Sequence, residues 1–280
     1  MAGKPPRRGE GRARRLHQFL GLTLGAVLAL IGLAGTCLAF YPEIERATIG
    51  PLRQSPGARP ASYEALYGRL SEVGPPRRGS WNIELPPGGG VITGRYSEPG
   101  VARRLVSIDP VTLEVVRDVR WGRTVSTVIY ELHYHLLMGP NGATIVGIIA
   151  IALIALVVSG AILWWRSGRS IGTRLSYDRH GTSRRKAHDI HRLAGACGAV
   201  FLLIALMTGA ALSLPQPVRA TLGLFSPVAE TPDPQSRPHP GMERIPLDRA
   251  ITIAQQRLRA ANIRWIKVPN NPDGTYALSF

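Results

Sequence analysis

Residues 16–42 spell LHQFLGLTLGAVLALIGLAGTCLAFYP and contain no Asp, Glu, Lys or Arg, although charged residues make up 19% of the chain. Two further runs share this property, Leu132–Trp165 and Leu193–Val218. About 20 consecutive apolar residues suffice to cross a bilayer, so each run is long enough for a transmembrane helix. The sequence therefore predicts three membrane spans and excludes a soluble cytoplasmic enzyme.

The charge distribution indicates how these spans are oriented. The chain has 34 Lys and Arg against 18 Asp and Glu, a net charge of +16. In a soluble protein such an excess favours nucleic acid binding. Here six basic residues crowd into positions 1–16 and seven into 166–186, while the long segment between the first two runs is much less basic. Short basic flanks stay in the cytoplasm. We therefore expect a cytoplasmic N-terminus, the lipid bilayer as partner, and no nucleic acid.

The chain also repeats itself. Residues 16–21, LHQFLG, align without a gap on residues 190–195, IHRLAG, and the same offset of 174 residues places Gly35 on Gly209. The first and third spans are therefore versions of one element, with a His at the inner end and a Gly near the outer end. The segments between the spans repeat too: a helix and two strands are predicted at 62–73, 81–85 and 91–96, and again at 247–261, 263–268 and 275–280.

Only the first copy continues beyond this point. A second hairpin at 103–108 and 114–119 and a helix at 124–138 precede the second span. By internal symmetry the second copy lacks a hairpin and a fourth span. We therefore expect an incomplete copy of a longer protein, whose second sheet has an unpaired edge.

These patterns predict a membrane α-helical bundle with α+β modules outside the membrane. The predicted order is a basic cytoplasmic N-terminus (1–16), a first span (17–41), an outer domain (42–142), a second span (143–165), a basic cytoplasmic loop (166–190), a third span (191–214) and a second, incomplete outer domain (215–280).

Three groups of residues resemble the helices of the PepSY-associated transmembrane proteins. Arg15-Leu16-His17 with Gly21, Gly32 and Gly35 resembles their first helix. Leu132-His133 with Ser159-Gly160 and Leu163-Trp164-Trp165 resembles the second. His188, His191-Arg192-Leu193 and Thr208-Gly209 resemble the third, and Ser107-Ile108-Asp109-Pro110 resembles the hairpin turn of the PepSY module. The resemblance implies a multi-pass protein of the bacterial inner membrane, with periplasmic PepSY-like modules. In the family a fourth span brings a further His near the outer face, and this sequence lacks it.

The resemblance also implies a function. The family is linked to iron–siderophore uptake, and some members carry haem and reduce ferric siderophores. Five histidines stand at the ends of apolar segments here: His17, His133, His135, His188 and His191. Ionisable groups at membrane depth are costly and are functional by default. Imidazoles that face each other across a bundle suit axial ligation of haem iron.

The repeat selects the inner pair of ligands. His17 and His191 occupy equivalent positions on equivalent helices, so we expect them to bind one haem b. His188, one turn earlier on the same face as His191, is the reserve candidate. Arg15 and Arg192 lie nearby and are candidates for pairing with haem propionates, although positive-inside anchoring alone explains them. Each His taken alone is better explained by snorkelling or by a position at the headgroup level, and it is the repeat that favours ligation by His17 and His191.

A second haem site is predicted at the outer end. His133 and His135 are two residues apart and cannot share one helical face. The family pattern selects His133, whose partner would lie on the absent fourth span, so this site is half present. His180 and His239 fall in polar loops and are expected to be solvated.

Two functions remain open from the sequence. The first is transfer of electrons across the membrane through one or two haems b, from a membrane or cytoplasmic donor, to reduce a ferric siderophore or a related periplasmic acceptor. The second is a non-enzymatic, membrane-tethered PepSY module for binding or regulation. Glycine-rich phosphate loops, HExxH and Ser-His-Asp patterns are absent from the sequence.

Overall fold

The computed structural model of the protein describes residues 8–50, 59–74, 79–86, 89–167, 170–227, 234–237, 244–258, 262–271 and 273–280. The chain forms two compact units. One comprises Met1–Leu38 and Ile129–Ala229, and the other comprises Ala39–Val128 and Glu230–Phe280. We refer to them as the helical unit and the sheet unit.

The helices are α1 (Arg8–Leu38), α2 (Tyr41–Ile49), α3 (Tyr63–Val73), α4 (Val125–His135), α5 (Gly142–Trp165), α6 (Ile171–Arg174), α7 (Ser183–Ser213), α8 (Pro215–Gly223) and α9 (Leu247–Arg257). The strands are β1 (Ser80–Glu84), β2 (Ile92–Ser97), β3 (Arg104–Ile108), β4 (Val115–Arg120), β5 (Trp265–Val268) and β6 (Ala277–Ser279).

Within the described residues, three helices of the helical unit are long and apolar enough to cross a membrane, over Arg14–Leu38, Gly139–Trp165 and Ser183–Ser213. The prediction of three spans is confirmed. The third helix begins well before the charge-free run that predicted it, because the side chain of Thr182 caps its N-terminus by accepting a hydrogen bond from the backbone N–H of Arg185. Its first turns are therefore charged and helical at the same time.

The second span, α5, is the centre of the helical unit. Its Ala150, Leu153 and Leu156 pack against Leu206 and Ala210 of α7. Three leucines of α1 line the same core: Leu20, Leu24 and Leu28. A helix that is apolar on every side suits such a position between two neighbours. Many outward apolar side chains of α1 and α7 are exposed, as Leu22 is at 82% and Phe201 at 77%. Such surfaces face lipid in a membrane protein.

In the part of the chain that the structure describes, the sheet unit holds one antiparallel sheet of six strands in the order β4-β3-β2-β1-β5-β6. The repeat predicts a module for each copy, whereas the strands of both copies join in this one sheet. Strand β1 of the first copy pairs with β5 of the second, with Trp81 opposite Val268 and Ile83 opposite Ile266. The first strands of the two copies therefore meet side by side and antiparallel, as an approximate two-fold axis requires.

Two helices cover one face of the sheet. Leu66 and Leu70 of α3 and Leu247 and Ile251 of α9 are buried against inward residues of the strands, among them Trp81, Ile83, Tyr96, Val106, Ile266 and Val268. The helices also cap each other. Asp248 accepts hydrogen bonds from the backbone N–H groups of Tyr63 and Glu64 at 2.9 and 3.0 Å, and Glu64 accepts one from the N–H of Leu247 at 2.6 Å. Each carboxylate thus satisfies the free donors of the other helix.

Element positions largely follow the sequence predictions, with two instructive differences at helix ends. Helix α4 ends at His135, three residues before the predicted end, because Leu136 and Leu137 take positive φ angles of 50° and 59°. Helix α9 ends at Arg257, and residues 259–261 of its predicted range lie outside the described residues.

Candidate functional site

The helical unit brings His17 of α1 and His191 of α7 together, as the repeat predicts. The centres of their imidazole rings are 6.4 Å apart, and the ring planes are inclined by 55°. His17 is half-buried and His191 is exposed. Both helices pack on α5, which brings the two histidines together within the helical unit.

Two adjacent residues of α5 hold the His17 ring in a defined position. Its Nδ1 lies 2.9 Å from the hydroxyl of Ser159, and that hydroxyl donates to the backbone carbonyl of Leu156 at 2.7 Å. The next residue, Gly160, leaves room for the ring: a Cβ at this position would stand 2.9 Å from His17 Cε1. Ser159 and Gly160 are part of the motif by which the sequence resembles the family, and the structure places both against His17.

His133 is held in a similar way by α1. Its Nδ1 donates to the backbone carbonyl of Ile31 at 2.9 Å, and a Cβ on Gly35 would stand 2.7 Å from its Cε1. His135 turns elsewhere and pairs with Glu131 on its own helix at 2.9 Å. The prediction that these two histidines occupy different faces is therefore confirmed, and His133 is the one that faces α1.

Among the described residues, His188 and His180 do not join the pair. The side chain of His188 is 59% exposed, and its Nδ1 lies 3.7 Å from a carboxylate oxygen of Asp189. His180 is exposed in a turn, as predicted. His239 lies outside the described residues.

Asp189 is a residue that sequence reasoning missed. Its side chain is only 1% exposed and lies 3.3 Å from Arg185 Nε and 3.1 Å from Arg192 Nη2. It also accepts a hydrogen bond from the backbone N–H of Asp178 at 3.3 Å. The available signal was its spacing, since an acid four residues after one Arg and three before another lies between them on one helical face.

Arg192 is held in a defined orientation. Besides its ion pair with Asp189, it donates to the backbone carbonyl of Ser176 at 2.6 Å. Its side chain is 11% exposed, and its Nε and Nη1 are buried without a hydrogen-bond partner in the protein. Arg15, in contrast, is exposed. The two predicted arginines therefore differ: Arg192 is fixed beside His191, and Arg15 lies on the surface.

The spacing of the two rings fits a haem iron. Metal–imidazole bonds of about 2 Å put the centres of two rings on opposite sides of one ion roughly 6 Å apart. The His17–His191 distance of 6.4 Å agrees with this value. Among the described residues, His, Cys, Asp and Glu side chains form no group of three or more suited to hold a metal ion by themselves. A haem needs only two axial ligands from the protein, so the pair fits that cofactor.

The sheet unit contains a second polar cluster that sequence reasoning missed. The guanidinium of Arg95 lies 4.5, 5.4 and 5.7 Å from the ring centres of Trp265, Trp121 and Tyr41. It forms an ion pair with Glu84 at 2.7 Å and donates to the Tyr41 hydroxyl at 3.1 Å. Burial raises the pKa of the Glu84 carboxyl, and the attraction of Arg95 offsets only part of that shift. This cluster joins α2, β1, β2 and β5.

A neighbouring group fixes α2 to the same sheet. The buried Glu45 of α2 pairs with Arg117 of β4 and accepts a hydrogen bond from Ser126 of α4. Buried charges are stable only when paired in this way. Both clusters are structural anchors of the sheet unit.

Three membrane-spanning helices together with an α+β unit define an integral membrane protein with a folded domain outside the bilayer. The family model described as the PepSY-associated TM region matches residues 14–270, and the chain belongs to that family. No curated protein shows significant similarity to the chain.

Proposed function

We propose that the protein is an inner-membrane haem protein that passes electrons across the bilayer to reduce a ferric siderophore or a related periplasmic acceptor. The observation that carries this proposal is the His17–His191 pair, two imidazoles from equivalent helix positions with ring centres 6.4 Å apart. Two neutral nitrogen donors at this spacing suit a low-spin b-type haem.

Each residue has a role in this proposal. His17 and His191 would hold the iron of the inner haem, and Ser159 fixes the ring orientation of His17. Arg192 is the partner for a propionate, because two of its buried guanidinium nitrogens lack a protein partner and it follows His191 directly. Arg15 is an exposed second candidate, and His188 stays the reserve ligand. His133 would supply one ligand of an outer haem.

Haem b, when bound, supplies a one-electron couple between ferric and ferrous iron. The protein supplies orientation, and apolar side chains of α1, α5 and α7 form the core of the helical unit that carries the pair. Hard oxygen ligands hold ferric iron much better than ferrous iron. A single electron delivered to a ferric siderophore therefore loosens its iron.

The proposed topology places the N-terminus and the basic loop 166–190 in the cytoplasm and the sheet unit in the periplasm. Its support is the density of Lys and Arg in the two short segments. The pairing of β1 with β5 is consistent with it, because both segments of the sheet unit must then share one compartment. Two spans, α5 and α7, separate those segments along the chain.

A visible absorption spectrum of the protein purified in detergent tests the proposal. We expect sharp bands of a low-spin b-type haem on reduction. His17→Ala and His191→Ala should each cause haem loss or conversion to high spin, since one axial ligand is removed. His180→Ala, in an exposed turn, is the matched control and should leave the spectrum unchanged.

His188→Ala separates the two candidate turns of α7. This substitution should change the haem spectrum little if His191 is the ligand, and should cause haem loss or conversion to high spin if His188 is the ligand. A wild-type spectrum in both His17→Ala and His191→Ala, or a haem-free protein from haem-replete cells, would contradict electron transfer. The membrane-tethered PepSY module would then be the better account.

A further inference from the structure

We propose that Ser159 is a positioning residue, which holds the His17 imidazole in the form protonated at Nδ1 and leaves Nε2 as the donor nitrogen. The role in binding iron rests on the proposed function. The protonation form of the ring does not, because it follows from hydrogen bonds within the helical unit.

The hydrogen bonds of Ser159 indicate which ring nitrogen of His17 is protonated. A serine hydroxyl has a single proton to donate. In Ser159 it is donated to the carbonyl of Leu156 at 2.7 Å, an oxygen that only accepts. With the hydroxyl proton assigned to Leu156, the Ser159 oxygen accepts from His17 at 2.9 Å, and we infer that Nδ1 is the protonated donor.

The ring is fixed from a second side as well. Gly160 leaves open the space that the His17 ring occupies, since a Cβ there would approach Cε1 to 2.9 Å. That separation is too short for two carbon atoms in contact. Adjacent residues thus supply an acceptor for Nδ1 and a space for the ring edge.

His133 is also protonated at Nδ1. Its Nδ1 lies 2.9 Å from the carbonyl of Ile31, and a carbonyl has no proton to give, so Nδ1 carries the hydrogen. Its ring edge also lies over a glycine, Gly35. Two histidines in different parts of the bundle therefore both present Nε2, which is what an axial ligand with a fixed outer hydrogen bond requires.

The helical unit offers a matched control. Thr208 and Gly209 of α7 repeat the chemistry of Ser159 and Gly160, a hydroxyl bonded to its own helix and followed by glycine. Thr208 donates to Ile204 at 2.9 Å, and a Cβ on Gly209 would meet no atom within 4 Å. Neither residue contacts a histidine, so Thr208→Ala and Gly209→Ala report the cost of the substitutions alone.

The first measurement uses the full chain without haem. Nitrogen NMR of histidine-labelled protein, with the His17 resonances assigned by their loss in His17→Ala, should show protonated Nδ1 and bare Nε2. Ser159→Ala should abolish this preference, Ser159→Thr should restore it, and Thr208→Ala should leave it unchanged. A wild-type His17 protonated at Nε2, or one unaffected by Ser159→Ala, would overturn the inference.

The second measurement uses the haem-loaded protein. Loss of an outer-shell hydrogen bond weakens ligand donation, so Ser159→Ala should shift the midpoint potential upward and weaken haem retention about tenfold. Gly160→Ala should weaken it as well, and Gly209→Ala should not. An unchanged potential in Ser159→Ala would overturn the positioning role. Expected NMR results in a protein that binds no haem would instead refute the proposed function and leave the protonation form established.

Discussion

Arg95 shows how one side chain organises the sheet unit. It lies among three aromatic rings, pairs with Glu84 and bonds to Tyr41, so it touches residues from both repeated segments. A cation over several ring faces in a partly desolvated site is stabilised by more than its ion pair. The counter-ion has a less favourable position, because burial raises the pKa of Glu84 despite the nearby guanidinium.

We predict that this carboxyl makes stability fall as the pH rises. Because native Glu84 holds its proton more tightly than the unfolded chain does, it favours folding below its unfolded pKa and loses that contribution as the pH rises through its native pKa. Melting curves between roughly pH 4 and 8 should show the wild type losing stability relative to Glu84→Gln. The exposed Glu72→Gln should follow the wild type. If the wild type instead became more stable relative to Glu84→Gln as the pH rises, the attraction of Arg95 would have a larger effect on the pKa of Glu84 than burial.

Residues of the candidate site were predictable to different degrees. His17 and His191 could be predicted because a gapless repeat assigns them equivalent positions on equivalent helices, and the structure brings their rings together. Ser159 lies on the span between the two copies, so its contact with His17 depends on how α1 and α5 rotate in packing. Asp189 was hidden in a basic run, where composition draws attention to its neighbours. Tertiary packing, which the sequence does not display, decides the contact of Ser159, whereas the helical spacing of Asp189 to Arg185 and Arg192 was readable in the sequence.

At the scale of elements, the mutual capping of α3 and α9 is the clearest result of the repeat. Glu64 and Asp248 occupy the second position of α3 and α9. The carboxylate of each accepts hydrogen bonds from backbone N–H groups at the start of the other helix. Sequence analysis predicted both helices from their periodicity. It could not predict the exchange, because a repeat shows which residues are equivalent and does not show which ones touch.

We predict that either cap can be removed at a moderate cost. Asp248→Ala should leave the N–H groups of Tyr63 and Glu64 without their acceptor and lower the free energy of unfolding by about 1 kcal/mol. Glu64→Ala should have a similar effect through α9. Denaturant unfolding of the full chain in detergent, followed by tryptophan fluorescence, measures both.

The control for these variants lies one face away on α3. Glu72 is exposed and pairs with Arg69, so Glu72→Ala should change stability by less than about 0.5 kcal/mol. Equal effects of Glu64→Ala and Glu72→Ala would show that capping is not what Glu64 contributes.

At the scale of the whole molecule, the pairing of β1 with β5 constrains how the chain crosses the membrane. Residues 39–128 and 230–280 belong to one folded unit, so they must lie on the same side. The apolar runs predicted the number of spans, and the basic residues predicted their direction. The sheet supplies an independent constraint, because an even number of crossings must separate its two parts.

We predict the labelling pattern that follows from this constraint. In a variant lacking Cys37 and Cys197, single cysteines placed at the exposed Val101 and Ser236 should react with an impermeant maleimide from the same side of intact membranes. Thr173→Cys, on the short helix α6 between α5 and α7, should react only from the other side. Labelling of positions 101 and 236 from opposite sides would be incompatible with a shared sheet.

The shared sheet also has a consequence for the order of events during synthesis. Strand β1 ends at Glu84, and its partner β5 begins at Trp265, about 180 residues later. At 5–20 residues per second the ribosome needs roughly 10–40 s to make that stretch. Throughout this interval β1 is an open edge, ready to pair with a strand of another nascent chain. The protein is therefore most prone to aggregation during its synthesis, because its sheet stays incomplete until two more helices have entered the bilayer.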